Sequence, residues 1–357
     1  MIGARMAGAA MVAREVLGAA RRCPRIGNVH VFSPSSFEDS EITNRVVQYC
    51  HLWFYRKTRS IRKVTWLFSG FSRAMDRCHA DVGLCLGNGG IADGQIPICV
   101  FVHQSLPFSK EALARCPVSL QFRMAVIKQV MAISCRRADL VAVQTEAVAE
   151  LLSREFEIPR RRIKVFTPGA PDFLDEATVA PPASVGAALY VGNTLGYKNL
   201  LSLEAAFRIV KSKRSEYRMT WIILPGSTPP GDRRIDYLSG IERAKIGAAY
   251  RVAKVLVMPS LVETVGLPML EAMRMGCPVA AADRPYAREI CGDAAVYFNP
   301  LVPEDIADTL IRLDEDDDLR RELIRKGRER EASLAAAKPY DRLIDDLVML
   351  AEDRKAR

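Results

Sequence analysis

Short apolar runs alternate with longer amphipathic stretches along most of the chain. In the N-terminal half, residues 28–33, 63–68, 81–86, 98–103, 140–144 and 163–166 read as strands, with helical periodicity over 41–57 and 118–137 between them. The C-terminal half repeats the rhythm at 187–192, 219–224, 234–238, 254–258, 278–282 and 295–298. These runs are dominated by Val, Ile, Leu and Ala without polar alternation, the pattern of parallel strands covered on both faces. Strands spaced by helices give βαβ units, so the chain predicts an α/β protein with two doubly wound, Rossmann-like sheets.

The densest cluster of chain breakers is Pro168, Gly169, Pro171, Pro181, Pro182 and Gly186. It divides the chain into an N-terminal domain over 1–170, a linker over 171–186 and a C-terminal domain over 187–335. A last helix over 336–357 is free to cross back. A doubly wound domain ordinarily opens with a strand. Here a helix over 6–22 comes almost first, so either the first strand is missing from this sequence or the domain has lost it. The acidic run from Asp314 to Asp318 reads as a solvated turn and helix start.

Length and composition narrow the classes. At 357 residues, 49% hydrophobic and 26% charged, the chain is long enough for two globular domains and is neither disordered nor fibrous. No apolar stretch approaches the roughly 18 residues of a spanning helix. Nine cysteines are scattered without a C-x-x-C pair, which fits a reducing compartment better than a disulfide framework or a zinc site. The net charge of +9 is uneven: 24 basic against 13 acidic residues in 1–170, and 27 against 29 in 171–357. An anionic partner of the N-terminal half is implied.

Within that half, 42–75 holds no Asp or Glu and interleaves seven Arg and Lys with Tyr49, Trp53, Phe54, Tyr55, Trp66, Phe68 and Phe71. One reading is an anionic membrane surface or a lipid-pyrophosphate site. The other is a helix and strand whose aromatics are core and whose cations are solvated. Nucleic acid is set aside, since no nucleic-acid-binding module is present.

The most informative segment runs from Pro259 to Met273, after the strand at 254–258 and into a helix closed by Gly276. Pro268 suits a first helical turn. Glu263 falls on the loop and Glu271 about one turn into the helix. The amides at Gly266 and Leu267 present a helix N-terminus to an anion. One short stretch thus offers two carboxylates for sugar hydroxyls and a cradle for phosphate, at the strand ends where open α/β sheets bind ligands.

With these residues in hand, the chain resembles the retaining glycosyltransferases of family 4, whose GT-B fold sets two Rossmann-like domains facing each other across a cleft. Glu263 and Glu271 match the E-x7-E motif of that family. Leu189 to Leu200 resembles its strand–loop–helix at the start of the C-terminal domain, with Gly192 in the loop and Lys198 as the residue that contacts the donor diphosphate. Asn193 stands where many members carry a second cation. His103, at a strand end and followed by Gln104, matches the family's histidine near the donor sugar. The resemblance extends over nearly all of the chain and is close over 187–300; Asp283 to Ala295 matches as scaffold. Gly87-Asn88-Gly89-Gly90 reads either as a turn or as backbone brought close to a ligand.

The resemblance implies a cytoplasmic hexosyltransferase, peripheral on the inner face of a membrane. It would move a hexose from a GDP- or UDP-sugar to a saccharide or lipid-linked acceptor in polysaccharide or lipopolysaccharide biosynthesis. No cofactor and no metal are implied. His103, Lys198 and Glu263 would act on the transferring sugar and leaving group. Gly192, Asn193, Gly266, Leu267, Pro268 and Glu271 would complete the donor site. Two rival readings are a nucleotide-sugar epimerase of the same fold and a catalytically impaired nucleotide-sugar-binding scaffold. Glu263, Glu271 and Lys198 together favour transfer; Asn193 and the absent first strand favour the scaffold.

Overall fold

The computed structural model describes residues 7–33, 47–51, 71–90, 96–171, 180–182, 185–224, 227, 232 and 234–356. The chain forms two compact units. The first comprises Met1–Gln104, Arg123–Pro168 and Lys338–Arg357; the second comprises Ser105–Phe122 and Gly169–Ala337.

In the first unit, α1 (Ala7–Arg22) precedes β1 (Val29–Ser33) and β2 (Val47–His51), which pair in parallel with Val29 opposite Val47. Residues 47–51 fall inside the stretch expected to be helical. The run Val-Gln-Tyr-Cys-His alternates at period two and carries β-branched and aromatic residues, and that local preference prevails over the helical spacing around it. The strand expected at 63–68, and most of the basic–aromatic stretch 42–75, lie outside the described residues.

The unit continues with α2 (Phe71–Arg77), β3 (Gly83–Cys85) and β4 (Ile98–Phe101). The chain then leaves for the second unit through α3 (Lys110–Ala114) and returns along α4 (Val118–Arg137). Then come β5 (Leu140–Val143), α5 (Glu146–Phe156) and β6 (Ile163–Val165). β3, β4, β5 and β6 form a parallel four-stranded sheet in that order. The last helix of the chain, Pro339–Lys355, packs with α1 over this sheet: Val12 and Val16 meet Leu343, Ile344 and Leu347 above Phe101 and Phe166. Ion pairs from Arg22 to Asp341 (2.7 Å) and Lys164 to Asp346 (2.6 Å) flank the contact. Both pairs are solvent-exposed, so the apolar burial carries the attachment.

The second unit is built from β7 (Ala188–Gly192), α6 (Leu200–Lys213), β8 (Met219–Ile223), β9 (Asp236–Ser239) and α7 (Arg243–Val252). It continues with β10 (Val255–Met258), α8 (Leu267–Met275), β11 (Val279–Ala282), α9 (Pro285–Cys291) and β12 (Ala295–Phe298), and closes with α10 (Pro303–Glu315) and α11 (Asp317–Ala336). Asp316, from the acidic run, caps α11 by accepting the Leu319 N–H at 2.8 Å. The six strands are all parallel, in the order β12-β11-β10-β7-β8-β9. Their residues divide between two faces. Leu189, Val191, Leu256 and Met258 join α7, α8 and α9 on one side, while Ala188, Tyr190, Val255 and Val257 join α6 and α10 on the other. Cover on both faces is why these strands read as unbroken apolar runs.

This strand order reverses between β7 and β10. Chain direction leaves β7 one way through β8 and β9, and the later strands build outward from β10 the other way. Loops at the carboxyl ends of these two strands therefore diverge to opposite faces and leave a crevice where open α/β sheets hold ligands.

Close approach at the sheet edge demands glycine at one position. The Gly186 N–H donates to the buried Thr220 hydroxyl at 2.9 Å, and a Cβ on Gly186 would stand 2.5 Å from the Arg218 carbonyl. Gly186→Ala is therefore expected to cost roughly 2–3 kcal/mol, read as a lowered urea midpoint with an unchanged slope.

Candidate functional site

The loops after β7 and β10 supply the site of the second unit. After β7, Gly196–Lys198 forms a single 3-10 turn, and Asn199 takes a left-handed conformation (φ 58°) at the start of α6. After β10, Pro259 to Val265 leads to Gly266, also left-handed (φ 82°), at the start of α8. The Leu261 N–H donates to the Tyr197 carbonyl at 2.9 Å and joins the two loops. The Tyr286 hydroxyl holds the Ser260 carbonyl at 2.8 Å from α9.

This clamp brings Lys198 and Glu263 together. Lys198 Nζ donates to Glu263 Oε1 at 2.5 Å, with side chains only 8% and 14% exposed. Burial alone would lower the lysine pKa. The negative charge and hydrogen bond of Glu263 more than offset it, and the net shift is upward, so Lys198 remains an ammonium. Its Nζ also lies 5.3 Å from the centre of the Tyr197 ring.

Gly192 and Asn193 form the near side of the first loop. Asn193 Oδ1 accepts the Leu195 N–H at 3.1 Å, and its carbonyl accepts the Tyr190 hydroxyl at 2.5 Å. Asn193 thus shapes the loop and adds no charge. The segment Ser105–Phe122 is part of the same unit. A Cβ at Gly196 would collide with the Arg115 carbonyl, and the Arg115 guanidinium donates to Asn199 Oδ1 at 2.5 Å. Ser105 and Thr264 hydroxyls stand 3.5 Å apart beside Glu263 in sequence.

Leu267 and Pro268 open α8, whose first turn holds no acidic residue and whose Gly266 cap leaves the amides without a side-chain acceptor. The positive end of α8 is thus available to an anion. Glu271, one turn on, accepts the hydroxyl of Tyr250 from α7 at 2.8 Å. Burial, and then the charge of Glu271, raise the Tyr250 pKa far above its ordinary value, which keeps it a donor.

His103 belongs to the first unit, just past β4. Its ring stacks on Phe101 at 4.2 Å and 11°, and its backbone N–H donates to Asn88 Oδ1 at 2.5 Å. Asn88 sits in the Gly87–Gly90 loop with φ 63°, so that loop has a stated use: it fixes the backbone of His103. Removal from water, opposed by a hydrogen bond with Gln144, lowers the His103 pKa to about 4. At neutral pH the imidazole is uncharged.

Sequence reasoning did not single out Tyr190, Tyr197, Tyr250 or the excursion of Ser105–Phe122, and it named Asn88 only within the Gly87–Gly90 turn. Each acts through a neighbour distant in sequence. Only Asn88, flanked by glycines at the end of a strand, carried a local signal.

Two family profiles match the chain: "Glycosyltransferase Family 4" over residues 6–172 and "Glycosyl transferases group 1" over 232–330. His103 lies in the former; Glu263, Gly266, Leu267, Pro268 and Glu271 lie in the latter; Gly192, Asn193 and Lys198 lie in neither. Among curated proteins, the chain is similar to an O-antigen chain mannosyltransferase B of Escherichia coli, 29% identical over 43% of this chain and 42% of that protein. It is also similar to a D-inositol 3-phosphate glycosyltransferase of Corynebacterium glutamicum, 27% identical over 51% and 50%. The chain spans about half the length of the curated relatives it matches. Among solved structures, WaaG, a glycosyltransferase involved in lipopolysaccharide biosynthesis, overlays with a TM-score of 0.71 at 17% identity over 95% of both chains. At that identity the overlay speaks for the fold alone.

Two outcomes are expected of this geometry. Lys198→Met leaves Glu263 as an unpaired buried charge and should cost about 3–5 kcal/mol in urea unfolding. Adding Glu263→Gln should restore part of that loss; strictly additive losses would mean the two side chains are not coupled. For His103, the folded pKa lies below the unfolded 6.5, so its contribution is complete above pH 6.5 and is lost as pH falls toward 4. Stability should therefore decline through that window by up to about 1.4 kcal/mol per pH unit more in wild type than in His103→Asn. Equal slopes for the two proteins would refute the buried neutral imidazole.

Proposed function

We propose that this chain, family 4-like by its match to two glycosyltransferase profiles and to its relatives and of GT-B fold, moves a hexosyl group from a nucleoside diphosphate sugar to a saccharide or lipid-linked acceptor, with retention at the anomeric carbon. The observation that carries this reading is the Lys198–Glu263 pair at the carboxyl ends of β7 and β10, beside the uncapped start of α8. A buried cation, a buried carboxylate and a helix N-terminus at a switch point are what a sugar diphosphate requires.

The roles divide by chemistry. Lys198 and the amides at Gly266 and Leu267, with Pro268 opening the helix behind them, take the diphosphate. They stabilise the charge that grows on it as the bond from the anomeric carbon breaks. Gly192 and Asn193 bring backbone close to the same group. Glu263 accepts from hydroxyls of the transferring sugar, and Glu271, steadied by Tyr250, from those of the ribose. The acceptor oxygen attacks the face from which the diphosphate departs. Its proton passes to the departing diphosphate oxygen, so no enzyme nucleophile is needed. His103, neutral at pH 7, is offered as a hydrogen-bonding group and not as an acid. Lys198 and the α8 terminus supply the positive charge, and the reaction so written proceeds without metal or cofactor.

The donor is read as a GDP- or UDP-sugar. A role in cell-surface polysaccharide or lipopolysaccharide synthesis is supported by the O-antigen mannosyltransferase among the relatives. The basic N-terminal half, and residues 42–75 in particular, suit an anionic membrane on the cytoplasmic side, where such acceptors are built.

A thermal-shift series with GDP, UDP and ADP tests the donor site. One diphosphate at 100 times its Kd should add about 2.7 kcal/mol to wild type. Glu271→Gln should weaken that ligand about tenfold, and Lys198→Met should abolish the shift. If no diphosphate stabilises the wild type at millimolar concentration, the donor-site assignment fails.

A further inference from the structure

Exposed large apolar side chains are few and gathered. Among the described residues there are nine, and six of them lie in one part of the second unit. The residue that organises this part is Asn199, buried and left-handed at the start of α6. Its Oδ1 accepts from the Arg115 guanidinium, and its Nδ2 donates to the Pro300 carbonyl at 2.6 Å. The two ends of one amide thus hold the 105–122 segment on one side and the loop after β12 on the other.

Each segment that meets at Asn199 carries two of the six. Leu195 and Leu201 bracket the turn itself, with Leu201 75% exposed in the first turn of α6. Val118 and Phe122 follow Arg115 and stand one helical turn apart, 78% and 74% exposed. Leu301 and Val302 follow Pro300. Together they expose on the order of 500 Å², an extent at which an apolar patch marks an interaction surface. Side chains that protrude this far suit a broad partner surface; a small ligand is held in a concave pocket. The charges at the rim decide the partner. Lys110 and Arg115 are exposed on the 105–122 side, while Glu304 and Asp305 are exposed in the first turn of α10 on the other. A patch with cations at one edge and carboxylates at the opposite edge is its own complement, because a two-fold rotation sets the basic edge of one copy against the acidic edge of the next. The same carboxylates repel an anionic lipid surface.

We propose that this surface is the interface of a two-fold homodimer, with Leu201 packed near its centre and Arg115 facing Glu304 of the partner subunit. The patch and its charged rim together match the roughly 800 Å² that each partner buries in a stable complex. An apolar centre with charges confined to the rim is also the usual anatomy of such an interface. Leu195 lies three residues before Lys198, so the contact covers part of the loop that carries the buried pair.

Sedimentation equilibrium of the full chain over a concentration series tests this. Wild type should assemble to twice the mass of one chain, with a Kd of about 1 μM or below. Leu201→Glu and Phe122→Glu, at positions that already face solvent, should each raise that Kd at least tenfold and leave the melting midpoint of the dilute monomer unchanged. Val252→Glu, at an exposed position on α7 across the sheet, should leave assembly intact. Arg115→Glu and Glu304→Arg should each be monomeric alone and should assemble when mixed, since only the mixed pair sets unlike charges opposite each other at both contacts. A wild type that stays monomeric, assembly that survives Leu201→Glu, or no assembly on mixing overturns the proposal. A monomer that floats with phosphatidylglycerol vesicles, and ceases to with Leu201→Glu, overturns it in favour of a lipid surface. None of these readouts depends on glycosyl transfer.

Discussion

A buried ammonium hydrogen-bonded to a buried carboxylate is costly to assemble, because both charges lose their hydration. Lys198 and Glu263 meet that cost where the loops after β7 and β10 come together. The Leu261–Tyr197 backbone bond fixes loop against loop. Asn199 and Gly266, both left-handed, turn the chain out of these loops into α6 and α8. Removing water from the pair also makes it responsive. In the function proposed above, a phosphate oxygen offered to Lys198 would compete with Glu263 in a setting where each contact is worth more than in bulk solvent, and Glu263 would then be released to accept from hydroxyls.

Much of the second unit was legible because its strands are short, apolar and bounded by glycine and proline. Each of the six predicted strands is present, the 234–238 run displaced to Asp236–Ser239. The loop after β10 was legible for a stronger reason. Gly266, Pro268 and Gly276 each impose a local backbone demand, so they punctuate the sequence where the fold turns. Lys198 and Glu263 were each identifiable, but not their contact, since 65 residues separate them and no local rule encodes the pairing. Tyr250 was invisible for the same reason: nothing in α7 marks the hydroxyl that reaches Glu271.

The first unit was harder to read. Residues 47–51 carry a strand preference inside a longer helical spacing, and the shorter signal prevailed. The excursion of Ser105–Phe122 into the second unit has no compositional boundary. Its ends are an ordinary strand terminus and the first turn of a long helix, so only packing reveals it. His103 stands at the margin of that excursion. Its neutral ring, stacked on Phe101 and fixed through Asn88, is a positioned hydrogen-bonding group and not a titrating one at neutral pH.

Phosphorus-31 NMR of GDP and UDP, titrated with the protein, reads the central contact directly. If Lys198 exchanges its partner from Glu263 to the diphosphate, the β-phosphorus resonance of one nucleotide should shift and broaden on binding. Glu263→Gln, which loosens the competing bond, should enlarge the bound fraction at a given protein concentration. A β-phosphorus resonance that stays at its free position for both nucleotides at millimolar protein would contradict the account, and would leave the buried pair a structural tie alone.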